Sequence, residues 1–288
     1  DVVAGFRAAM PGARIYVYDN NSTDGTALKA ALAGAIVTRE RRQGKGHVVR
    51  RMFADIDADI YVLVDGDATY DAPSASGMID RLVAERLDMV VGLRVDQELA
   101  AYRMGHRTGN WMLTSFLAEV FGQAFKDILS GYRVFSRRFV KSFPVLSDGF
   151  EIETELTVHA LELALPVAEV ATPYYARPEG SVSKLNTWRD GFRILGTILK
   201  LYRSEKPLRF FSAIGIFLAL ISIGFAIPIL VTYIETGLVP RLPTAVLSMG
   251  LMIMALLSAS SGLVLDTVTR GRREMKLLAY LSHAPIGG

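Results

Sequence analysis

Two aspartates separated by one residue, Asp65 and Asp67, follow the uninterrupted apolar residues 60–64. A segment that is apolar throughout predicts a strand buried on both faces, so these carboxylates are expected at its end. Hard divalent cations prefer carboxylate oxygens and commonly share them with substrate phosphates. The spacing favours a metal and phosphate site, and the alternative is an ordinary Asp-Gly turn.

Two further polar loops have residues suited to a phosphorylated ligand. Residues 19–26 read DNNSTDGT, which is also compatible with a plain turn in which Ser22 or Thr23 caps the next helix. Residues 43–46 read QGKG within a basic run, and two glycines around Lys45 allow close approach of a phosphate. The spacing does not match a Walker A loop, and a solvated basic face is the alternative. No aromatic residues interleave with these charges, which argues against nucleic-acid binding.

An alternation of strands and helices would bring these loops together. The sequence predicts strands at 13–18, 35–38, 60–64 and 89–91, and helices at 26–33, 46–55 and 75–85. Such alternation is typical of an α/β fold with a mostly parallel sheet and helices on both faces. Ligands of such sheets bind at the carboxyl ends of the strands, where all three loops would lie.

The composition of the 288 residues excludes several other chemistries. Cysteine is absent, so there is no disulfide, thiol nucleophile or cysteine zinc site. The four histidines lack metal-ligand spacing, which disfavours histidine-based metal or triad chemistry. The net charge of +3 suits anionic partners without choosing among them.

Two uncharged stretches near the C-terminus, residues 210–234 and 242–265, predict membrane-spanning helices. About 20 apolar residues suffice to cross a bilayer core. The join, residues 235–241, is short, which predicts a hairpin. Basic residues concentrate outside it, at Arg203, Lys206, Arg209, Arg270, Arg272, Arg273 and Lys276. This bias places both outer ends in the cytoplasm. A buried helical pair in a soluble core is the alternative.

Six motifs in order resemble the family 2 glycosyltransferases that act on polyprenyl phosphates. They are YDNNSTDGT, QGKG, LVDGDATYD, LSGYRVFSRR, GFEIETEL and RPEGSVSKL. Relatives of this kind are dolichyl-phosphate mannose synthases and bacterial undecaprenyl-phosphate glycosyltransferases. The resemblance covers about residues 1–205. It implies a glycosyltransferase-A type fold, a mostly parallel nucleotide-binding sheet, followed by an interfacial helix and a two-helix transmembrane hairpin.

The resemblance also implies a domain order and a location. Residues 1–186 would form a cytoplasmic glycosyltransferase domain, 187–208 an interfacial amphipathic helix, 209–268 the transmembrane hairpin and 269–288 a cytoplasmic tail. The family opens with a strand that this chain lacks, so we expect an N-terminal piece to be missing. The expected location is the bacterial inner (plasma) membrane, multi-pass, with the catalytic domain cytoplasmic.

By the same resemblance, Asp19 would recognise the nucleobase, with Asn21 nearby, and Lys45 would line the nucleotide side of the pocket. Asp65 would contact the ribose or the metal. Asp67 would ligate Mg²⁺ or Mn²⁺ on the diphosphate.

Further residues are candidates for phosphate and sugar. The guanidinium groups of Arg94, Arg107 and Arg133 suit phosphates, although a single arginine more often forms a surface salt bridge. By the same resemblance, Asp127 would lie in the region that closes on the sugar. Lys184 is a candidate partner of the acceptor phosphate, and an interfacial lysine touching lipid headgroups is the alternative.

The resulting hypothesis is inverting transfer of a hexose from a UDP- or GDP-hexose to polyprenyl (undecaprenyl) phosphate. The acceptor phosphate is largely ionised and needs no strong base. The expected partners are the nucleotide sugar, the lipid phosphate and membrane lipid, with a homo-oligomer left open. A non-catalytic binding module is one alternative. A polysaccharide synthase is another, but its Gln-x-x-Arg-Trp motif is absent from the sequence.

Overall fold

The computed structural model of the chain describes residues 1–96, 114–115, 118, 125–145, 149, 151–175, 196 and 199–287. The chain divides into two compact units. The first contains residues 1–194 together with residues 275–288, and the second contains residues 195–274. The first unit is therefore assembled from two separate stretches of the chain.

Strands and helices alternate along the first unit. Its first part contains α1 (Val2–Ala9), β1 (Tyr16–Asp19), α2 (Thr26–Leu32), β2 (Ile36–Arg39), α3 (Lys45–Asp55), β3 (Ile60–Leu63), α4 (Ser74–Ala84) and β4 (Met89–Asp96). Its second part adds β5 (Arg133–Ser136), α5 (Arg137–Ser142), α6 (Ile152–Glu162) and β6 (Val167–Tyr174). Each strand and helix that the sequence predicted between residues 13 and 91 is present at its expected place in the chain.

The strands in the described part of the chain form two sheets. β1 and β2 pair in parallel, and the second sheet has the order β3-β5-β4-β6. β4 and β6 are parallel, whereas β5 is antiparallel to both β3 and β4. The predicted α/β fold with a mostly parallel sheet is confirmed, since β3, β4 and β6 run in one direction. The central strand β5 is the exception, and the sequence did not predict it.

Apolar side chains cover both faces of the four-stranded sheet. Val134 of β5 packs in a buried cluster with Phe6 of α1 and Met78 of α4. The next residue, Phe135, points to the opposite face, where its ring centroid lies 5.9 Å from that of Phe53 in α3. This alternation is that of a strand, and it holds helices on both sides of the sheet.

Two long apolar helices, α7 (Pro207–Thr236) and α8 (Leu242–Leu281), dominate the second unit. Each is long and apolar enough to cross a membrane, and only 11% of its most apolar window is buried. The Ser222 hydroxyl donates to the Ser248 carbonyl at 2.7 Å, and the Ser248 hydroxyl donates back at 2.8 Å. Ser258, later in α8, donates to Phe211, earlier in α7. The two helices are therefore antiparallel, as the predicted hairpin requires.

The last turns of α8 belong to the first unit. Lys276 Nζ lies 2.6 Å from Glu162 Oε2 at the end of α6. Tyr280 donates its hydroxyl hydrogen to Asp88 Oδ2 at 2.8 Å. Asp88 is fully buried and also pairs with Arg138, whose guanidinium lies over the Tyr280 ring at 4.6 Å. Part of the predicted tail is thus built into the folded structure of the first unit.

Candidate active site

Asp65 and Asp67 lie in the loop that follows β3, as the sequence predicted. The next residue, Ala68, has a φ of 60°, a left-handed conformation that is strained for a residue with a side chain. The hydroxyl of the buried Thr69 donates to Asp67 Oδ1 at 2.6 Å. The chain therefore turns sharply after the two carboxylates, and this hydrogen bond orients the second one.

Lys45, the first residue of α3, contacts carboxylates from two other elements. Its Nζ lies 2.5 Å from Asp65 Oδ1 and also forms an ion pair with Glu153 of α6. Burial alone would lower the pKa of Lys45, but the charges of Glu153 and Asp65 outweigh it and raise this pKa. Burial raises the pKa of Glu153, against the opposing charge of Lys45. The ammonium group therefore stays charged and offsets part of the negative charge of the two carboxylates.

The loop after β1 is tied to the loop after β2 by two asparagines. Asn20 accepts a hydrogen bond from the Gly44 amide at 2.8 Å and donates one to the Arg42 carbonyl at 2.7 Å. Asn21, with a φ of 64°, donates to the Arg41 carbonyl at 2.9 Å. These bonds place Lys45, the residue after Gly44, at the sheet edge. Asn21, predicted to lie near the nucleobase, holds the neighbouring loop in this structure.

Asp19 ends β1 and is largely buried, with 7% of its surface exposed. Its carboxylate accepts a hydrogen bond from the Ser22 amide at 3.3 Å. Asp24, rather than Ser22 or Thr23, accepts from the amide of Thr26 at the start of α2. The alternative interpretation, in which Ser22 or Thr23 caps this helix, is therefore wrong.

Gly131 lies against Asp65. A methyl group at Gly131 would overlap Asp65 Oδ2, so glycine at this position lets the carboxylate keep its observed place. The Gly131 amide donates to the Tyr70 hydroxyl at 2.9 Å, and burial raises the pKa of Tyr70 to about 12. Asp65 and Tyr70 line a cavity of about 230 Å³, with Asp71 and Tyr175 among the other residues of its wall. The cavity lies between the loop after β3 and the start of α1, where Val2, Gly5 and Phe6 form its other wall. Of the described site residues Asp65 faces it, whereas Lys45 and Asp67 are not part of its wall.

Arg94 and Asp127, both predicted site residues, form a two-pronged ion pair. The Arg94 Nε and Nη2 atoms lie 2.7 and 2.8 Å from the two oxygens of Asp127. Asp127 is buried, and its backbone amide donates to Glu169 at 3.2 Å. The Arg94 guanidinium also lies 5.5 Å from the ring centroid of Tyr174. Arg94 therefore orients Asp127 in this structure, where the sequence predicted that it grips phosphate.

Arg133 does not reach the cavity. It is fully buried and donates to the carbonyl groups of Ile128 and Ser130 and, at 2.9 Å, to the hydroxyl of Thr157. Burial lowers the pKa of Arg133 to about 10, so the group remains charged at neutral pH. The prediction of a phosphate-gripping role does not fit this position, because its donors fasten the segment before β5 to α6.

Two predicted site residues, Arg107 and Lys184, lie outside the described residues. So does half of the predicted interfacial helix, residues 187–208, of which residues 196 and 199–208 are described. Conversely, the structure adds Glu153 and Gly131 to the site. Glu151, Glu153 and Glu155 are spaced two residues apart, so they cannot share one helical face, and Glu153 is the buried one.

The described residues contain no group of three or more His, Cys, Asp and Glu side chains that could hold a metal ion. Mg²⁺ commonly uses one or two carboxylates and takes its other oxygens from water and substrate phosphates. Asp65 and Asp67 fit such a shared site. The arrangement is therefore suited to a divalent cation that binds together with a diphosphate.

Comparisons with known proteins identify relatives of this chain. The sequence model of glycosyl transferase family 2 matches residues 6–143. Glycosyltransferase AglJ of Haloferax volcanii is 34% identical over 264 residues, which cover 91% of this chain and 86% of that protein. The low-salt glycan biosynthesis hexosyltransferase Agl6 of the same organism is 30% identical over 223 residues, covering 75% of this chain and 52% of that protein.

The fold is also similar to a solved structure, the glucosyl-3-phosphoglycerate synthase of M. tuberculosis. The TM-score is 0.53 at 22% identity, over 70% of this chain and 73% of that one. At this identity the similarity concerns the fold alone.

Proposed function

Because the chain belongs to glycosyl transferase family 2, we propose that it transfers a hexose from a nucleotide sugar to polyprenyl phosphate, with inversion at the anomeric carbon. The observation that carries the proposal is the pair of carboxylates, Asp65 and Asp67, after β3 in a chain that also has two apolar helices of membrane-spanning length. The first feature suits a sugar diphosphate, and the second suits an acceptor embedded in lipid. The name of the relative Agl6 supports a hexose as the sugar.

In this proposal Asp65 and Asp67 hold a divalent cation, Mg²⁺ or Mn²⁺, with the diphosphate. When bound, that cation offsets the charge that develops on the leaving nucleoside diphosphate. Lys45 lies beside Asp65 and adds a fixed positive charge on the same side. Asp19 and Asn21, in the loop after β1, are proposed for the nucleobase.

Asp127 is proposed to orient the sugar. Its carboxylate is fixed by Arg94 and by the geometry of a two-pronged ion pair, which gives it a defined direction. The attacking group, a phosphate oxygen, is already ionised at neutral pH because the second pKa of a phosphate monoester is about 6. Direct attack on the anomeric carbon therefore requires no proton to be removed first, and it inverts the configuration once.

The acceptor phosphate is proposed to bind at Lys184, with Arg107 as a further candidate. The place of Lys184 in the chain, between β6 and the apolar helices, supports its assignment. Arg107 lies between β4 and β5 in the chain, and its guanidinium suits a phosphate. Basic residues on the outer sides of the hairpin support a cytoplasmic catalytic domain and a multi-pass location in the bacterial inner membrane.

The proposal is tested with the full chain in detergent, undecaprenyl phosphate and radiolabelled UDP- and GDP-hexoses. We expect label in a lipid-extractable product, and we expect EDTA or Asp67→Ala to reduce the rate by at least about a thousandfold, since a metal site supplies several kcal/mol of barrier reduction. Asp80→Ala, which removes an exposed carboxylate of α4, is the matched control and should keep full activity. Transfer that survives both EDTA and Asp67→Ala would rule out the metal-dependent mechanism. Label that enters only water-soluble products would rule out the lipid acceptor.

A further inference from the structure

One ammonium group serves two carboxylates at the edge of the sheet. Lys45 Nζ contacts Asp65 Oδ1 and Glu153 Oε1 at the same time. The exposed fractions of the Lys45, Asp65 and Glu153 side chains are 17%, 34% and 8%. Glu153 is thus the most enclosed of the three and Asp65 the most open to an incoming ligand.

Both carboxylate oxygens of Asp65 have neighbours while Lys45 is in place. Its Oδ1 atom accepts from the ammonium group, and its Oδ2 atom lies against Gly131. A divalent cation at Asp65 would meet the positive charge of Lys45 at the same carboxylate, and like charges this close repel. One of the two cations has to give way.

We propose that Lys45 holds the place at Asp65 that the divalent cation takes together with the nucleotide, and that Glu153 is the positioning residue that keeps Lys45 in the site after the exchange. The inference rests on the proposed function. Lys45 then turns from Asp65 toward the diphosphate, whose charge replaces that of the carboxylate. Without nucleotide the divalent cation therefore binds weakly, because it must displace Lys45 from Asp65 while no diphosphate is present to pair with the ammonium group.

The test is a titration of the nucleotide-free full chain with Mn²⁺, in which electron paramagnetic resonance measures the free ion. Lys45→Met removes the competing charge and should tighten Mn²⁺ binding by about tenfold or more. Glu153→Gln leaves the ammonium group dependent on Asp65 alone and should weaken Mn²⁺ binding, by about threefold or more. Loss of a merely structural contact would not move the two affinities in opposite directions.

Two further variants keep the test decisive. Asp65→Asn should abolish Mn²⁺ binding, and the double variant Lys45→Met/Glu153→Gln should bind Mn²⁺ more tightly than the unmodified chain without leaving a buried carboxylate unpaired. If Lys45→Met and the double variant bind no more tightly than the unmodified chain while Asp65→Asn still abolishes binding, the inference is wrong and the metal-dependent function stands. If no form binds Mn²⁺ without nucleotide, the inference is wrong, and if Asp67→Ala also retains transfer, the metal-dependent mechanism fails with it.

Discussion

Gly131 allows the backbone to pass directly beside the Asp65 carboxylate. We expect Gly131→Ala to push this short side chain aside while the fold survives, because the overlapping atoms are those of a side chain that can rotate. Transfer should fall by about tenfold or more, which corresponds to ~1.4 kcal/mol of barrier. Gly77→Ala is the matched control, since a methyl group there meets nothing within 4 Å. Transfer rates are measured for both variants, and their melting temperatures show whether each is folded. Equal transfer rates would contradict the role assigned to Gly131.

The positions of Asp65 and Asp67 could be predicted because the residues just before them are all apolar, and this local pattern is enough to indicate the end of a buried strand. The partner of Lys45 could not, since Glu153 is 108 residues away in the chain and its neighbours are equally acidic. Arg94 and Arg133 show the same limit. The residue type shows that a guanidinium can bind an oxyanion. Only the fold shows that Arg94 is paired with Asp127 and that Arg133 donates to backbone carbonyls.

Helix α6 links the site to the tail, because Glu153 lies near its start and His159 and Glu162 near its end. The helix is buried almost all round, so it shows no apolar stripe from which its position could be predicted. Strand β5 is only four residues long and includes the buried Arg133, which breaks the apolar pattern of an internal strand. Both elements depend on tertiary packing rather than on local preference.

The buried His159 should make the stability of the first unit depend on pH. Burial, followed by the charge of Lys276, lowers its pKa from 6.5 to about 3. Below pH 6.5 the unfolded chain binds a proton that the folded chain does not, so the free energy of unfolding falls as the pH drops, by about 2 kcal/mol between pH 7 and 5. His159→Gln keeps a polar group near Ser142 but cannot take up a proton. The free energy of unfolding of this variant should therefore fall less between pH 7 and 5 than that of the unmodified chain. Melting temperatures at both pH values check this, and parallel losses in the two proteins would refute it.

Two substitutions in the last turns of α8 should destabilise the first unit to different extents. Tyr280→Phe removes one hydrogen bond to Asp88, which Arg138 and Ser136 still partner, and should cost about 1–2 kcal/mol. Lys276→Met leaves the buried Glu162 unpaired and should cost more, about 3–5 kcal/mol. Adding Glu162→Gln to Lys276→Met should restore most of the melting temperature. A larger effect of Tyr280→Phe would mean that the ion pair contributes little.

The orientation of the whole molecule in the membrane can be measured cleanly because the sequence contains no cysteine. A cysteine at Thr236, at the end of α7, should react with a membrane-impermeant maleimide added from the periplasm. A cysteine at Ser282, directly after α8, should react only after the cells are opened. The reverse pattern would place the glycosyltransferase domain away from cytoplasmic nucleotide sugars and contradict the proposed topology.

The contacts of Lys276 and Tyr280 with the first unit can form only late in synthesis. A ribosome makes Lys276 and Tyr280 only after both apolar helices, yet their partners Glu162 and Asp88 belong to the part made earlier. Until then the nascent domain has a buried carboxylate without its cation, and it stays an intermediate of the kind that larger proteins pass through while folding. The hairpin can enter the bilayer during this interval. A chain truncated within α8 before Lys276 would therefore lose contacts that stabilise the first unit as well as part of the second apolar helix.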